Sequence, residues 1–535
     1  MNKRNFILIA FAFIVLQATL LAQSNSKAVA PPEVNSFAPI LGFLSSNWME
    51  GREAGTKGGF MAADYVSSMM QVFGLSPFGD KKTKKAGYFQ DFEIVQYKTL
   101  ESSLAFIERD ANSQSVFQLN QGVDYKVSAG VNGSDAEAAV VFAGYGVVAA
   151  DKGYDDYKGM DVKGKIVVVL DGFPGHGDTT SAGWKTFWKS GSEAPASIET
   201  KLQNARIHGA LALILLDAEG KFEPFKQAQS NRLLLQSTMN SVKNTEEEYE
   251  EFYHTLPNDT ASQVIPCFRL GSSAAKHLIS GTGINFIGFE SKTAKTVLPA
   301  SQLMKDKTMR FSVMVKSEPI LVRNVLGIIP GKDKTKYIVL GGHYDHLGTH
   351  NGHIFNGSDD NASGASGMLA LAKTWAESGV QPACNLIFAS WSGEEEGLLG
   401  SQYFVEQMNI KPKDILLYIN MDMISRSVIE DTTRRQLSIG TRTSDKYIRE
   451  MAKKNNSTLS HPFILDLWDV TGHSGSDYAS FTAKNIPIMT YNTGLHNDYH
   501  TPRDISANAD LVKMGDVLKM VNSSLMEVLN NIPGK

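Results

Sequence analysis

The sequence predicts an α/β protein with a doubly wound, mostly parallel sheet, and two observations carry that prediction. From about residue 324 onward, four short runs are rich in apolar and β-branched residues: YIVLGG, NLIFASWSG, ILLYINMDM and IPIMTYN. Helical stretches lie between these runs, notably ASGASGMLALAKTWAES and GLLGSQYFVEQM. Alternation of buried strands with helices is typical of a sheet that is covered by helices on both faces.

Length and composition limit the classes of protein that need consideration. A chain of 535 residues is longer than one hydrophobic core normally serves, so we expect two or more domains. The net charge of −4 shows no basic excess, which argues against a nucleic-acid partner. The only two cysteines, Cys267 and Cys384, are too few for a disulfide scaffold.

The first 23 residues have the features of a secretory signal peptide. Lys3 and Arg4 supply a positive start, residues 6–16 are apolar, and cleavage is expected near Ala22. The alternative is a single anchoring helix, because residues 6–22 are about as long as the shortest membrane spans. No cysteine stands directly after the apolar run, which argues against a lipoprotein anchor. We therefore expect an exported protein, periplasmic or secreted, without a stable membrane span after cleavage.

The mature chain divides into two predicted units. Helical periodicity is clearest in GFMAADYVSSMMQVFG, where Met61, Tyr65, Met69 and Phe73 recur at intervals of four and Gly74 follows. From about residue 92 to residue 290 the patterns are mostly those of strands, as in AAVVFAGYGVV and VKGKIVVVLDG. We predict one discontinuous domain made of residues 25–125 and 300–535, and a β-rich insertion at residues 130–290.

Polar residues cluster where the four predicted strands end. In a doubly wound sheet, ligands bind beyond the carboxyl ends of the strands. The residues that follow the four strands in turn are His343 with Asp345, then the glutamates 394–396, then Asp422, and last His496, Asp498 and His500. A further pair, Asp359 and Asp360, precedes a predicted helix. Eight of the twelve histidines lie between residues 343 and 500, so a common site is expected.

Each cluster also has an ordinary structural interpretation. Asp360 is suited to capping its helix, and the glutamates to a solvated turn before the next helix. Asp422 is harder to explain in this way, because it ends an apolar strand and an unpaired buried carboxylate is costly. Taken together, imidazoles and carboxylates at one sheet edge favour a zinc-type metal site with enough ligands for two ions. No phosphate-binding glycine loop and no Gly-x-Ser-x-Gly elbow occurs.

Five motifs resemble those of a known family in order and approximate spacing. GGHYDHLG, SDDNASG, GEEEGLLGS, NMDM and DYHTP are similar to the motifs of the co-catalytic zinc exopeptidases, typified by bacterial leucyl aminopeptidases. Glutamate carboxypeptidases and glutaminyl cyclases share that phosphorylase/hydrolase-like fold. The resemblance extends to YVSSMMQVFGLSPFG and YFQDF near the amino end. The β-rich insertion resembles a protease-associated (PA) domain through DVKGKIVVV and ARIHGALALIL.

The resemblance implies a set of metal ligands. His343 and Asp422 would hold one zinc ion, Glu395 and His500 would hold the other, and Asp360 would bridge the two. It also implies a cis peptide bond after Asp360.

Other residues are expected to act beside the ligands. Glu394 matches the family's general base. Asp345, two residues after His343 in an extended stretch, projects to the same side and is suited to accept a hydrogen bond from the second imidazole nitrogen. His346 receives no role. His473 stands where many aminopeptidases of the family carry an oxyanion-binding tyrosine, and its alternative is simple packing near the helix that starts at Ser476.

These inferences favour a secreted di-zinc aminopeptidase that acts on peptides, with the insertion overhanging the metal site. A carboxypeptidase or dipeptidase of the same family is the main alternative. A glutaminyl cyclase uses one zinc ion and does not keep all five ligands, and receptors of this architecture lose ligands, so both fit less well. The preferred substrate residue and the oligomeric state stay open.

Overall fold

A computed structural model describes residues 29–80, 87–109, 112–128, 132–187, 197–216, 252–257, 265–470 and 475–531. The predicted signal peptide, residues 1–23, lies outside these ranges. In the part of the chain that the structure describes, no helix combines the length and the apolar character needed to cross a bilayer.

Most strands of the described residues join one large sheet. The strands are β1 (Ser76–Pro77), β2 (Phe89–Arg109), β3 (Gln114–Leu119), β4 (Tyr125–Ser128), β5 (Ser134–Phe142), β6 (Val148–Ala149), β7 (Tyr154–Asp155), β8 (Ile166–Leu170), β9 (Ala212–Leu216), β10 (Phe252–Thr255), β11 (Cys267–Leu270), β12 (Gln302–Ile329), β13 (Asp333–His343), β14 (Thr349–His350), β15 (His353–Ile354), β16 (Cys384–Trp391), β17 (Ile415–Met421), β18 (Gln436–Thr441), β19 (Ile464–Asp469) and β20 (Ile488–Asn492).

Helices connect these strands and cover the sheet. The α-helices are Val34–Leu44, Lys57–Val72, Ala182–Phe187, Ile198–Ile207, Ser272–Ile279, Phe286–Thr296, Gly364–Glu377, Leu399–Gln407, Lys446–Ser457, Tyr478–Ala483 and Leu511–Asn530. Shorter helical turns are Asn47–Arg52, Ala150–Lys152, Ser358–Ser363, Pro412–Asp414 and Ser506–Asn508.

The sheet order confirms the predicted α/β class. Its main path is β19-β18-β20-β17-β13-β16-β12-β5-β8-β9-β11-β4. The neighbours β20, β17, β13 and β16 are all parallel, and they are the four strands predicted from the apolar runs. Every residue of β16 is buried, as expected for a strand that is covered on both faces. Because the four strands run in one direction, their carboxyl ends meet at one edge of the sheet.

The helix Lys57–Val72 forms where its periodicity predicts, but its buried face is displaced by one residue. Ala62, Val66 and Met70 are fully buried, whereas the predicted stripe beginning at Met61 is only partly buried. Gly74 follows with φ 81°, a left-handed conformation that favours glycine and ends the helix.

Two long antiparallel strands, β2 and β12, join two separate hydrophobic cores. The first core lies around β13, β16 and β17. The second contains Phe106 of β2, Tyr125 of β4 and Phe311 of β12, together with the strands of the predicted insertion. The second core therefore extends beyond the predicted 130–290 on both sides, because β2 and β12 each continue from one core into the other.

Candidate metal centre

The predicted ligands converge at the carboxyl edge of the parallel strands. His343 is the last residue of β13, and Asp422 follows β17 directly. Glu394 and Glu395 lie in the turn after β16. Among these four, the most exposed side chain is that of Asp422, at 13%. The parallel register thus gathers at one place residues that are up to 79 positions apart.

The remaining two ligands come from a turn and a loop. Asp360 lies in the helical turn Ser358–Ser363, just before the helix Gly364–Glu377, and its side chain is 5% exposed. His500 lies in the loop after β20 and has a left-handed φ of 53°. The peptide bond from Asp360 to Asn361 is cis, as the resemblance implies.

The donor atoms form two groups with Asp360 between them. One group is His343, Glu394 and Asp422, and the other is His346, Asp360, Glu395 and His500. Within each group the candidate ligand atoms lie within 4.8 Å of one another. Asp360 faces both groups: its Oδ1 is 3.4 Å from His343 Nε2, and its Oδ2 is 2.9 Å from His500 Nε2.

The chemistry of these groups fits metal ions. His343 Nε2 lies 3.4 Å from Asp422 Oδ1, and His500 Nε2 lies 3.3 Å from Glu395 Oε2. Among the described residues, the buried Nε2 atoms of His346 and His500 find no hydrogen bond of good geometry. Imidazole nitrogens and carboxylate oxygens that converge in this way are the usual ligands of zinc. The residues present therefore suit two such ions, with one carboxylate shared.

The two neighbouring glutamates have opposite electrostatic environments. Burial raises the pKa of Glu394 well above its usual range, and the nearby carboxylates of Asp422 and Glu395 raise it further against the influence of His343. Burial also disfavours the charged form of Glu395, but His500 and a hydrogen bond from His346 outweigh it and hold the pKa of Glu395 well below its usual range. Glu395 is thus the stable anion, while Glu394 is suited to gaining and losing a proton.

The histidines of the second group also differ from each other. Burial lowers the pKa of His346 to about 3, so its ring is neutral at physiological pH. Burial would lower the pKa of His500 as well, but the charges of Glu395 and Asp360 raise it to about 10. Burial next to Glu395 raises the pKa of Asp360 to about 7.

Asp504 and Asn361 hold the turn that carries Asp360. The carboxylate of Asp504 accepts hydrogen bonds from the backbone N–H of Asp359, at 2.9 and 3.0 Å, and from that of Asp360, at 3.0 Å. Asn361 Oδ1 accepts from the N–H of Gly364 at 2.8 Å, and its Nδ2 donates to the carbonyl of Met421 at 3.0 Å. Asn361 therefore fastens the start of one helix to the end of β17, beside Asp422.

Asp345 lies next to His343 but uses different atoms from those predicted. His343 Nδ1 is 3.2 Å from the main-chain carbonyl of Asp345 and 3.9 Å from its carboxylate. The prediction of a side-chain hydrogen bond is therefore wrong as to the acceptor atom. The carboxylate instead accepts from the N–H of Glu395 at 3.4 Å, so Asp345 connects the end of β13 to the glutamate turn.

His346 belongs to the site although no role was predicted for it. Its Nδ1 lies 2.7 Å from Glu395 Oε1, and its side chain is fully buried. A neutral imidazole in this place donates to Glu395 and fixes the direction of that carboxylate. The sequence signal for this role was the position of His346 as the second histidine of the motif GGHYDHLG. His473 lies outside the described residues.

Arg52 is a buried cation next to the candidate metal centre, and no sequence motif predicted this role. Its guanidinium donates to four main-chain carbonyls, those of Leu44, Tyr344, Asn356 and Gly357, at 2.6 to 2.8 Å. Its own carbonyl accepts from the N–H of His346 at 3.2 Å. Burial lowers the pKa of Arg52 to about 10, so it stays charged at neutral pH. Arg52 thus joins the amino-terminal segment to the end of β13, which carries His343, and to the residues just before the turn that carries Asp360.

Replacing Arg52 by methionine should lower the free energy of unfolding by at least about 3 kcal/mol. The substitution leaves four carbonyls without their donor, and each buried unsatisfied group costs roughly 1–3 kcal/mol. Urea titration measures the effect, with the exposed Arg310 changed to methionine as the matched control. If R52M and R310M unfolded at the same urea concentration, the four hydrogen bonds of Arg52 would not stabilise the fold as proposed.

The comparisons with known proteins agree with this geometry. Residues 324–524 match the model of peptidase family M28. The chain is 27% identical over 239 residues to a probable leucine aminopeptidase of Arthroderma benhamiae, an alignment that covers 43% of this chain and 64% of that protein. It is 36% identical over 213 residues to a glutamate carboxypeptidase 2 homolog of Caenorhabditis elegans, covering 34% of this chain and 26% of that protein. These alignments span less than two thirds of either relative.

One solved structure shows that the fold is shared over nearly the whole chain. The aminopeptidase from Aneurinibacillus sp. strain AM-1 has a TM-score of 0.56 and 19% identity, and the alignment covers 93% of this chain and 94% of that one. At this identity the likeness establishes the fold alone. Residues 324–524 accordingly match peptidase family M28, and this match supports the resemblance of the five motifs to the co-catalytic zinc exopeptidases.

Proposed function

We propose that the protein is an exported di-zinc aminopeptidase, which hydrolyses N-terminal residues from peptides. The observation that carries the proposal is the placement of Asp360, whose two carboxylate oxygens face His343 and His500 respectively. A carboxylate shared in this way is a recurrent feature of hydrolases that use two metal ions. Export rests on the amino-terminal signal predicted from the sequence.

Each ion would have its own pair of ligands in addition to the shared carboxylate. His343 and Asp422 would hold one zinc ion, Glu395 and His500 would hold the other, and Asp360 would contact both. His346 keeps Glu395 in place through the 2.7 Å contact between Nδ1 and Oε1. Bound zinc supplies Lewis acidity, which polarises a scissile carbonyl and makes water a better nucleophile at neutral pH.

Glu394 is the general base of this proposal. Its Oε2 lies 3.8 Å from His343 Nε2, beside the ligands, and its raised pKa suits a group that must accept a proton. Glu394 takes a proton from the attacking water and delivers it to the amine that leaves when the peptide bond breaks. The two transfers restore the carboxylate for the next turnover.

Two arginines near the site favour an aminopeptidase over a carboxypeptidase. Recognition of a substrate's α-carboxylate calls for a cationic partner, most often arginine. Arg52 is committed to main-chain carbonyls, and Arg426 is paired with Asp498 at 2.7 Å. The names of the two relatives include both activities, since one is a probable leucine aminopeptidase and the other a glutamate carboxypeptidase 2 homolog. The carboxypeptidase is therefore our second candidate.

The zinc content of the protein and the end of the peptide from which it cleaves together test the proposal. We expect two zinc ions per chain, loss of turnover on chelation, and recovery when zinc is restored. Leucyl peptides with a free amino group should be cleaved, and the same peptides with an acetylated amino end should resist. Cleavage of the acetylated peptides from their carboxyl end would favour the second candidate. One tightly held ion together with glutaminyl cyclisation would favour a cyclase.

We also propose that the second unit is an inserted PA domain that restricts access to the site. Strand β10 of this unit pairs antiparallel with β2, with His254 opposite Gln96, and its His254 reaches the glutamate turn. We expect short, flexible peptides to be cleaved and folded proteins to resist. Rapid cleavage of a folded protein that has a rigid amino terminus would contradict this restriction.

A further inference from the structure

We propose that His254 is a positioning residue that acts through Glu396 to hold the turn carrying Glu394 and Glu395. The inference rests on the proposed function, because it assigns a role to a neighbour of the proposed base and ligand. It also gives the third glutamate of GEEEGLLGS a purpose that differs from those of the other two.

The contact is a short chain of hydrogen bonds with a defined direction. His254 Nδ1 lies 2.5 Å from Glu396 Oε2, and His254 Nε2 lies 3.0 Å from Gln96 Nε2. The amide N–H of Gln96 can only donate, so Nε2 of the neutral imidazole accepts. Nδ1 then carries the ring proton and donates it in a hydrogen bond to Glu396.

Burial distinguishes this pair from the surface pairs of the molecule. The side chains of His254 and Glu396 are only 7% and 9% exposed. The pair of His277 and Glu108 has the same residue types at 3.1 Å, but its side chains are 41% and 52% exposed. A pair in solvent contributes little, whereas loss of one partner from a buried pair leaves a group without its hydrogen bond. His277 and Glu108 are therefore the matched control.

Two contacts, one from β10 and one from the residue after it, fix the glutamate turn. Leu256, which follows β10, packs in one cluster with Leu399, the first residue of the helix after the turn. His254 holds Glu396 three residues earlier. Within the turn, the carbonyl of Glu394 accepts from the N–H groups of Gly397 and Leu398, both at 2.9 Å. A displacement of Glu396 is thus transmitted directly to Glu394 and Glu395.

The segment that carries His254 therefore contributes a stabilising contact to the glutamate turn. The segment that carries His254 enters through its pairing with β2, far in sequence from the ligands, and lies outside the residues that match the family model. We expect the contact to set the direction of both neighbouring carboxylates. Its loss should lower kcat and zinc affinity more than it changes KM.

Three substitutions at position 254 separate positioning from plain stability. His254→Leu removes both hydrogen bonds and should lower kcat and zinc affinity by roughly 10-fold, the lower end for partners that orient metal ligands. His254→Asn keeps a donor near the place of Nδ1 and should restore most of the loss. His254→Gln keeps the polar atom near Nε2 instead and should not. His277→Leu should leave both quantities unchanged.

A double-mutant cycle with Glu396→Leu completes the test. If the pair acts as a unit, the double variant should be no worse than either single variant. Equal behaviour of the asparagine and glutamine variants, or a lowered melting temperature with unchanged kcat and zinc affinity, would overturn the proposal. If the wild type cleaves no peptide at any zinc concentration, the proposed function fails, while zinc affinity in the same variants still decides the role of His254.

Discussion

Replacing Glu394 by glutamine should leave two zinc ions bound and lower kcat by roughly 10²–10⁴-fold, the usual range for loss of a positioned acid–base group. Glutamine has nearly the same shape and cannot take a proton from water at neutral pH. Glu394 lies beside the ligand group at 3.8 Å from His343 Nε2, so metal binding should not depend on its charge. Turnover and zinc content are measured on the same preparation.

The control is the same substitution one residue further on. Glu395→Gln should weaken zinc binding at the site of His500 by more than about 10-fold, since a direct ligand matters at least as much as the partners behind it. The low pKa of Glu395 marks it as the stable anion of the pair. Loss of an ion from Glu394→Gln, with both ions kept in Glu395→Gln, would exchange the two roles.

Replacing Asp360 by asparagine should weaken both metal sites at once and reduce peptide hydrolysis below detection. An amide presents one oxygen, whereas the two oxygens of Asp360 face His343 and His500 separately. We expect zinc affinity at each position to fall by more than about 100-fold, beyond the range for partners that only orient ligands. Zinc titration against a chelating indicator measures both affinities.

Asp359 provides the adjacent control for Asp360. Its carboxylate accepts from the N–H and hydroxyl of Ser425, both at 2.8 Å, and is 0% exposed. Asp359→Asn should lower the melting temperature while both ions stay bound. Loss of only one ion from Asp360→Asn would show that Asp360 serves a single metal.

The sequence could indicate that several candidate ligands lie together because backbone geometry places them. Parallel strands bring their carboxyl ends to one edge, so apolar runs that end in His343, Glu395 and Asp422 already indicated a common site. Asp360 and His500 lie in a turn and a loop; the polar clusters already included both residues, and the motif resemblance was needed to single them out as ligands. The structure brings all five residues together.

The residues that were not predicted lack a local signal. Arg52 contacts the carbonyl of Tyr344 from 292 positions away, and His254 reaches Glu396 from strand β10. Such contacts depend on how distant segments pack together, and neither the residue type nor the spacing along the chain predicts them. His346 was visible beside His343, but only the fold shows that its ring faces Glu395.

The bounds and the PA-type fold of the insertion stay a prediction, but the structure shows how the two cores are connected. Strands β5 and β8 were predicted from the runs AAVVFAGYGVV and VKGKIVVVLDG. Strands β2 and β12 are 21 and 28 residues long, and each passes from one core into the other. Each strand thus carries residues of both cores, as β12 does with Met309 in one core and Val325 in the other, so no single position within it separates the two units.

The most direct test of the di-zinc centre is anomalous diffraction at the zinc edge from crystals grown with zinc. We predict two peaks about 3.5–4 Å apart, one between His343 and Asp422 and the other between Glu395 and His500, with one oxygen of Asp360 directed at each. A single peak, or a second peak without a contact to Asp360, would contradict the shared-carboxylate centre.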